Sequence, residues 1–139
     1  MKNIPKTIFF NIYLLRHGEA IGGNCYRGSS DDPLSKLGWK QMYAALASFS
    51  DFDAIVTSPL QRCQDFAKRL SESESIPLQC VSDFSEIHFG DWETQSAAEI
   101  WQHHPELFGN YLNDPLSYSP PNGEPLSEFS RRVLSDHEN

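Results

Sequence analysis

The run IFFNIYLL, residues 8–15, limits more than any other feature what this chain can fold into. Asn11 alone interrupts it, and the apolar residues do not alternate with polar ones. Such a run predicts a strand buried on both faces, as in the middle of a parallel sheet. It stops abruptly at Arg16, His17 and Gly18. DAIVTS (residues 53–58) and IPLQCV (residues 76–81) predict two more short buried strands. Helical patterns lie before, between and after them. Ser35 can cap a helix whose apolar face is Trp39, Met42, Tyr43, Leu46 and Phe49, although Gly38 weakens its first turn by ~1 kcal/mol relative to alanine. SPLQ places Ser58 as a cap, Pro59 at the first helical position and Gln61 three residues after the cap, with Leu60, Cys63, Ala67 and Leu70 as the buried stripe. Residues 94–112 are partly helical around a break at Pro105, PLSYSPPNGEP is a loop, and a last helix runs from Leu126 to Leu134. This alternation predicts an α/β fold, with helices on both faces of a mostly parallel sheet in three layers.

At 139 residues the chain is one domain, residues 1–139. Its formal net charge of −8 argues against nucleic acid and against anionic membranes, both of which select a basic face. An anionic substrate therefore needs a local cluster of cations. Cys25, Cys63 and Cys80 are odd in number and far apart, which excludes a disulfide framework and points to a reducing, cytoplasmic compartment. Pro5, Asn11 and Arg16 cut the N-terminal apolar run too short for a secretory signal or a membrane span.

Ligands of open α/β sheets bind beyond the carboxyl ends of the strands. Arg16 and His17 fall at one such end, and the Ser58–Arg62 segment falls at another. Arg62 is expected in the first turn of its helix, where a cation is disfavoured unless an anion joins it; free amides plus a guanidinium suit a phosphate. Gly18 would let backbone approach a ligand closely. Glu86, flanked by Phe84, Ile87, Phe89 and Trp92, is expected in apolar surroundings that raise a carboxyl pKa and suit a general acid. Asp91 and Glu93 compete with it, and the simplest expectation for them is solvent.

Other chemistries fit less well. Cys63 and Arg69 have the spacing of a cysteine phosphatase but fall within a helix and lack glycines for a phosphate nest. GEAIGG lacks the lysine of a P-loop. His103 and His104 are adjacent, a spacing unlike a helical metal site, and Ser58 lacks the Gly-x-Ser-x-Gly context.

Five segments in order, LLRHGEA, RGSSDDPLSKLGWKQ, SPLQRCQDFA, EIHFGDWE and PPNGEPLSEFSRRV, resemble the histidine phosphatase superfamily with its phosphoglycerate mutase-like fold. Within it the pattern is most similar to α-ribazole phosphatases of cobalamin assembly; the Trp-Asn pair of the mutases is absent. The resemblance implies that His17 forms a phosphohistidine, that Arg16 and Arg62 grip the phosphoryl oxygens, and that Glu86 protonates the leaving oxygen and then activates water. It implies no metal and no cofactor, and a small-molecule phosphomonoester as substrate. A broad-specificity phosphatase is the nearest alternative, and a non-catalytic phospholigand-binding or regulatory domain is the alternative from another class.

The sequence departs from the family pattern in places. Ala20 stands where a hydroxyl residue is common, Phe66 where threonine is usual, and Thr94 where glycine often ends the FGDWE motif. A second family histidine, in a His-Gly context on a later strand, has no counterpart. His137 lacks both the strand and the glycine. The expectation is a chain incomplete at its C-terminus, with activity impaired and a bare apolar sheet edge that favours a homodimer.

Overall fold

The computed structural model describes residues 10–135. Ile8, Phe9 and His137, to which the sequence reading assigned roles, lie outside the described residues. Helix α1 (Lys36–Leu46) is followed by strand β1 (Ile55–Thr57), helix α2 (Gln61–Glu74) and strand β2 (Leu78–Cys80). Helices α3 (Ala97–His103), α4 (Pro105–Asn113) and α5 (Leu126–Val133) complete the regular structure, with single 3₁₀ turns at Ser82–Phe84 and Gly90–Trp92. Strands β1 and β2 pair in parallel, Ile55 with Leu78 through Thr57 with Cys80, and α2 is the crossover between them. The βαβ unit carries the predicted parallel geometry.

The described part of the IFFNIYLL segment, residues 10–15, departs from expectation. Residues 10–15 form no strand and make none of the fold's backbone hydrogen bonds among the described residues. Phe10, Ile12 and Leu14 are 81%, 83% and 95% exposed. An apolar run becomes a buried strand only when neighbours pair with it and helices cover it, and the described sheet consists of β1 and β2. Tyr13 alone is anchored, edge-on against Phe49 at 5.1 Å and Phe52 at 5.8 Å.

Local helix signals fare better. Ser35 caps α1, its hydroxyl accepting from the Gly38 amide at 3.0 Å. Gly38 is buried there for a reason of its own: a Cβ would overlap the Glu19 carbonyl oxygen, and one on Gly18 would overlap the Gly38 backbone. Gly18 thus lets backbone approach backbone, where the sequence suggested a ligand. Helix α2 starts two residues later than SPLQ suggested, with Leu60 as its N-cap. Ser58 Oγ accepts from the Leu60 amide at 3.3 Å, but the Gln61 amide is satisfied from a distant loop by Asp31 Oδ1 at 2.7 Å. Pro105 opens α4, and Ser96 with Glu99 forms a full capping box on α3.

Two cores result. Leu34, Met42 and Phe66 join α1 to α2, with Trp39, Leu46 and Leu70 packed around them. Trp92, Ile100 and Phe108 join the second 3₁₀ turn to α3 and α4, with Tyr26 and Phe89 against them. Phe66, absent from the predicted stripe of α2, is its principal anchor at 2% exposure.

Candidate active site

A cavity of about 940 Å³ opens beside the segment that follows residue 15. Arg16, His17, Glu19, Tyr26, Arg27, Glu86 and Phe89 are among the residues on its wall. Three of the four residues singled out from sequence, Arg16, His17 and Glu86, therefore share one cavity.

His17 is half-buried. Its Nδ1 lies 2.7 Å from the carbonyl oxygen of Gly18. A carbonyl only accepts, so Nδ1 carries the proton and Nε2 keeps a lone pair. Burial lowers the imidazole pKa below its ordinary value, and the charges of Arg62 and Arg16 lower it further, against the Gly18 hydrogen bond and Glu86. A neutral imidazole with a free Nε2 at neutral pH is a competent nucleophile.

Arg16 is exposed and, among the described residues, has no hydrogen-bond or ion-pair partner. Its guanidinium is free for a ligand. Arg62 is the opposite case. It is 1% exposed and is not part of the cavity wall. Its Nη1 donates to the Ser30 carbonyl at 2.7 Å, and its Nη2 donates to the carbonyls of Gly28 at 2.9 Å and Arg27 at 3.2 Å. Only Nε is buried without a partner. The anion expected at the start of α2 is supplied internally by Asp31.

Glu86 does not sit in apolar surroundings. It is exposed at the cavity wall, with Oε1 accepting from the Ile87 amide at 2.8 Å. Ile87 and Trp92 turn their side chains into the interior, so they leave the carboxylate in the open. Arg132 on α5 fixes this stretch by donating to the carbonyls of Asp83 at 2.6 Å, Ser85 at 2.8 Å and Glu86 at 3.1 Å.

Glu93, expected in solvent, is the most heavily bonded carboxylate of the site. It accepts from the amides of Gly28 (3.0 Å), Ser29 (2.9 Å), Ser30 (3.2 Å) and Phe89 (2.9 Å) and from the hydroxyls of Ser29 and Ser30. Burial pushes its pKa up, but the Ser30 hydroxyl and the amides of Phe89, Ser29 and Gly28 outweigh it and hold the group at about 2. A carboxyl so strongly held as the anion cannot act as a proton donor near neutrality, which removes it as a rival to Glu86. Asp91, the other rival, accepts from the Asn122 amide at 3.0 and 3.1 Å. Among the described residues no three His, Cys, Asp or Glu side chains gather as a metal site, and no helix is long and apolar enough to cross a membrane.

A model of the histidine phosphatase superfamily, branch 1, matches residues 12–136, nearly the whole chain. The chain belongs to the histidine phosphatase superfamily. Among its relatives within the superfamily, an adenosylcobalamin/alpha-ribazole phosphatase of Escherichia coli is 32% identical over 127 residues, covering 88% of this chain and 62% of that protein. A bifunctional protein of Mycobacterium tuberculosis is 36% identical over 127 residues, covering 88% of this chain and 35% of that protein. The crystal structure of the alpha-ribazole phosphatase from Shigella flexneri superposes with a TM-score of 0.71 at 31% identity, over 86% of this chain and 61% of that one. The chain thus spans between about a third and three fifths of the length of these relatives. The α/β, phosphoglycerate mutase-like fold expected from sequence is the fold observed.

Proposed function

We propose that this chain is a phosphatase that hydrolyses a small-molecule phosphomonoester through a phosphohistidine at His17. The observation that carries the reading is the His17 imidazole itself: its Nδ1 proton is committed to Gly18 and its Nε2 is left unprotonated in a cavity shared with Arg16 and Glu86.

In the first displacement Nε2 attacks phosphorus, the bond from phosphorus to the ester oxygen breaks, and the Glu86 carboxyl gives its proton to the departing oxygen. In the second, the Glu86 carboxylate takes a proton from water, the new oxygen–phosphorus bond forms, and the phosphorus–Nε2 bond breaks to release inorganic phosphate. One acid–base group serves both halves. Arg16 is free to hold the equatorial oxygens, and Arg62 places a fixed positive charge behind them. The names of the Escherichia coli and Shigella relatives favour α-ribazole phosphate as the substrate. The same names support cobalamin assembly as its setting.

Turnover of an aryl phosphate by the 139-residue chain, beside His17→Ala, tests this reading. Activity lost in the variant, together with an acid-labile phosphohistidine trapped on the parent chain, is the expected result. Phosphate binding with no covalent label would leave a phospholigand-binding domain in its place.

A further inference from the structure

Glu93 and Arg62 form no ion pair, yet they are connected by the backbone that runs between them. The N–H of Ser29 points at Glu93 Oε1 (2.9 Å), and the C=O of the same peptide group, that of Gly28, accepts from Arg62 Nη2 (2.9 Å). The peptide group before it repeats the arrangement: the N–H of Gly28 meets Glu93 Oε2 at 3.0 Å, and the Arg27 carbonyl accepts from Arg62 Nη2 at 3.2 Å. Two amide dipoles thus lie side by side between a carboxylate and a guanidinium, each polarised in the same sense by both charges. Gly28 makes this possible, since a Cβ there would overlap the Ile87 carbonyl oxygen and crowd Glu93 Oε1.

We propose that Glu93 is a positioning residue for Arg62: by gripping the amides of residues 28–30 it fixes the carbonyl cage that holds the guanidinium, and so sets where its positive charge stands behind His17 and a bound phosphoryl group. The assignment rests on the phosphatase reading of the cavity. It separates two jobs that the sequence merges, since the acid motif EIHFGDWE then contributes Glu86 to proton transfer and Glu93 to the anion grip. The very low pKa of Glu93 keeps the cage charged at any pH where the cavity is occupied. Fixing a charge before the ligand arrives removes its ordering cost from binding.

The test uses the full chain with inorganic phosphate as the probe and reads the Arg62 Nε–H resonance by ¹⁵N NMR. In the parent chain that resonance should be sharp, slow to exchange and shifted by phosphate. Glu93→Gln should broaden it and weaken phosphate binding about tenfold, as losing one charge-assisted contact does, while Glu93→Asp recovers part of the affinity. Ser30→Ala, which removes one hydroxyl donor and keeps every backbone bond, should weaken binding about twofold to threefold and gives an answer if Glu93→Gln fails to fold. A folded Glu93→Gln or Ser30→Ala with unchanged phosphate affinity and an unchanged Arg62 resonance overturns the assignment and leaves the phosphatase reading standing. No phosphate-induced shift in the parent chain overturns both.

Discussion

Arg132 meets Glu124 in a two-pronged pair, Nε to Oε1 at 2.6 Å and Nη2 to Oε2 at 2.8 Å, and its remaining capacity goes to the three carbonyls around Glu86. Glu124 in turn accepts from the His88 amide at 3.2 Å, and its own amide donates to the His88 carbonyl at 2.8 Å. Helix α5 therefore sets where the proposed acid stands without touching the cavity.

Removing that guanidinium leaves three carbonyls without this donor and a partly buried carboxylate with only the His88 amide. Arg132→Ala is expected to cost about 2–4 kcal/mol in chemical denaturation. Arg132→Lys should recover less than half of it, because an ammonium cannot reproduce the planar fork. If Arg132→Lys matched the parent chain, the fork would have no special role.

The pH dependence of His17 has a definite sign. Burial and the charges of Arg62 and Arg16 disfavour its protonated form, so its titration midpoint should fall below 6.5 when followed by ¹H NMR of the ring. Arg16→Gln removes one of those charges and should move the midpoint up. The acid limb of kcat/KM assigned to the nucleophile should move with it.

Glu93 makes stability depend on pH in a lower window. Its folded value of about 2 lies below the ordinary 4.5, so the stabilisation is fully present above pH 4.5 and is lost as pH falls from there towards about 2. Glu93→Gln should flatten the stability curve across that window. A slope equal to that of the parent chain would mean that the carboxylate is not held by its six donors in solution.

Gly38 offers a case where two rules oppose each other. Helix propensity alone would make Gly38→Ala stabilising by ~1 kcal/mol. The overlap of the new methyl with the Glu19 carbonyl reverses the sign, and a destabilisation of about 1–3 kcal/mol is expected from thermal or urea melts.

The three thiols should react in order. Cys80 is exposed, while burial pushes the Cys63 thiol up despite the neighbouring Arg62. Cys63 should be the last to be modified by a disulfide reagent at neutral pH, well behind Cys80. Rapid modification of Cys63 would contradict its place in α2.

What was legible in the sequence depended on how far each residue's partners lie along the chain. Ser35 and Pro105 act on atoms within a turn of themselves: the helix start expected at Ser35 is the one found, and the break expected at Pro105 is where one helix gives way to the next. The βαβ unit around α2 was equally plain, because its strands are short and its crossover continuous. The surroundings of Glu86 and Glu93 are the reverse of those the sequence suggests. Both have apolar neighbours in sequence, but solvent reaches the first, while the second finds amides 63–65 residues away. The signal available for Glu93 was the Gly-Ser-Ser run at residues 28–30, a stretch rich in donors that needs an acceptor from elsewhere. Arg62 is expected from sequence to converge with Arg16 on His17; its charge bears on the imidazole, but its terminal nitrogens serve the loop and its side chain is not on the cavity wall. Residues 10–15 form no strand despite their apolar pattern, because such a pattern carries no information about what will pair with it.

The segment from residue 27 to residue 32 is held along its length: Arg27 to Asp32, residues 28–30 between Glu93 and Arg62, and Asp31 on the first amide of α2. For protein engineering this sets Arg27 on the cavity wall, and the bonded segment that follows it, apart from the wall residues that precede it. Insertions or randomised codons at residues 27–32 would remove the start of a helix and the seat of an arginine together, so libraries there should be dominated by chains that do not fold. Asn24 and Cys25, on the cavity wall but outside that grip, are positions where the shape of the cavity can be varied without rebuilding the domain.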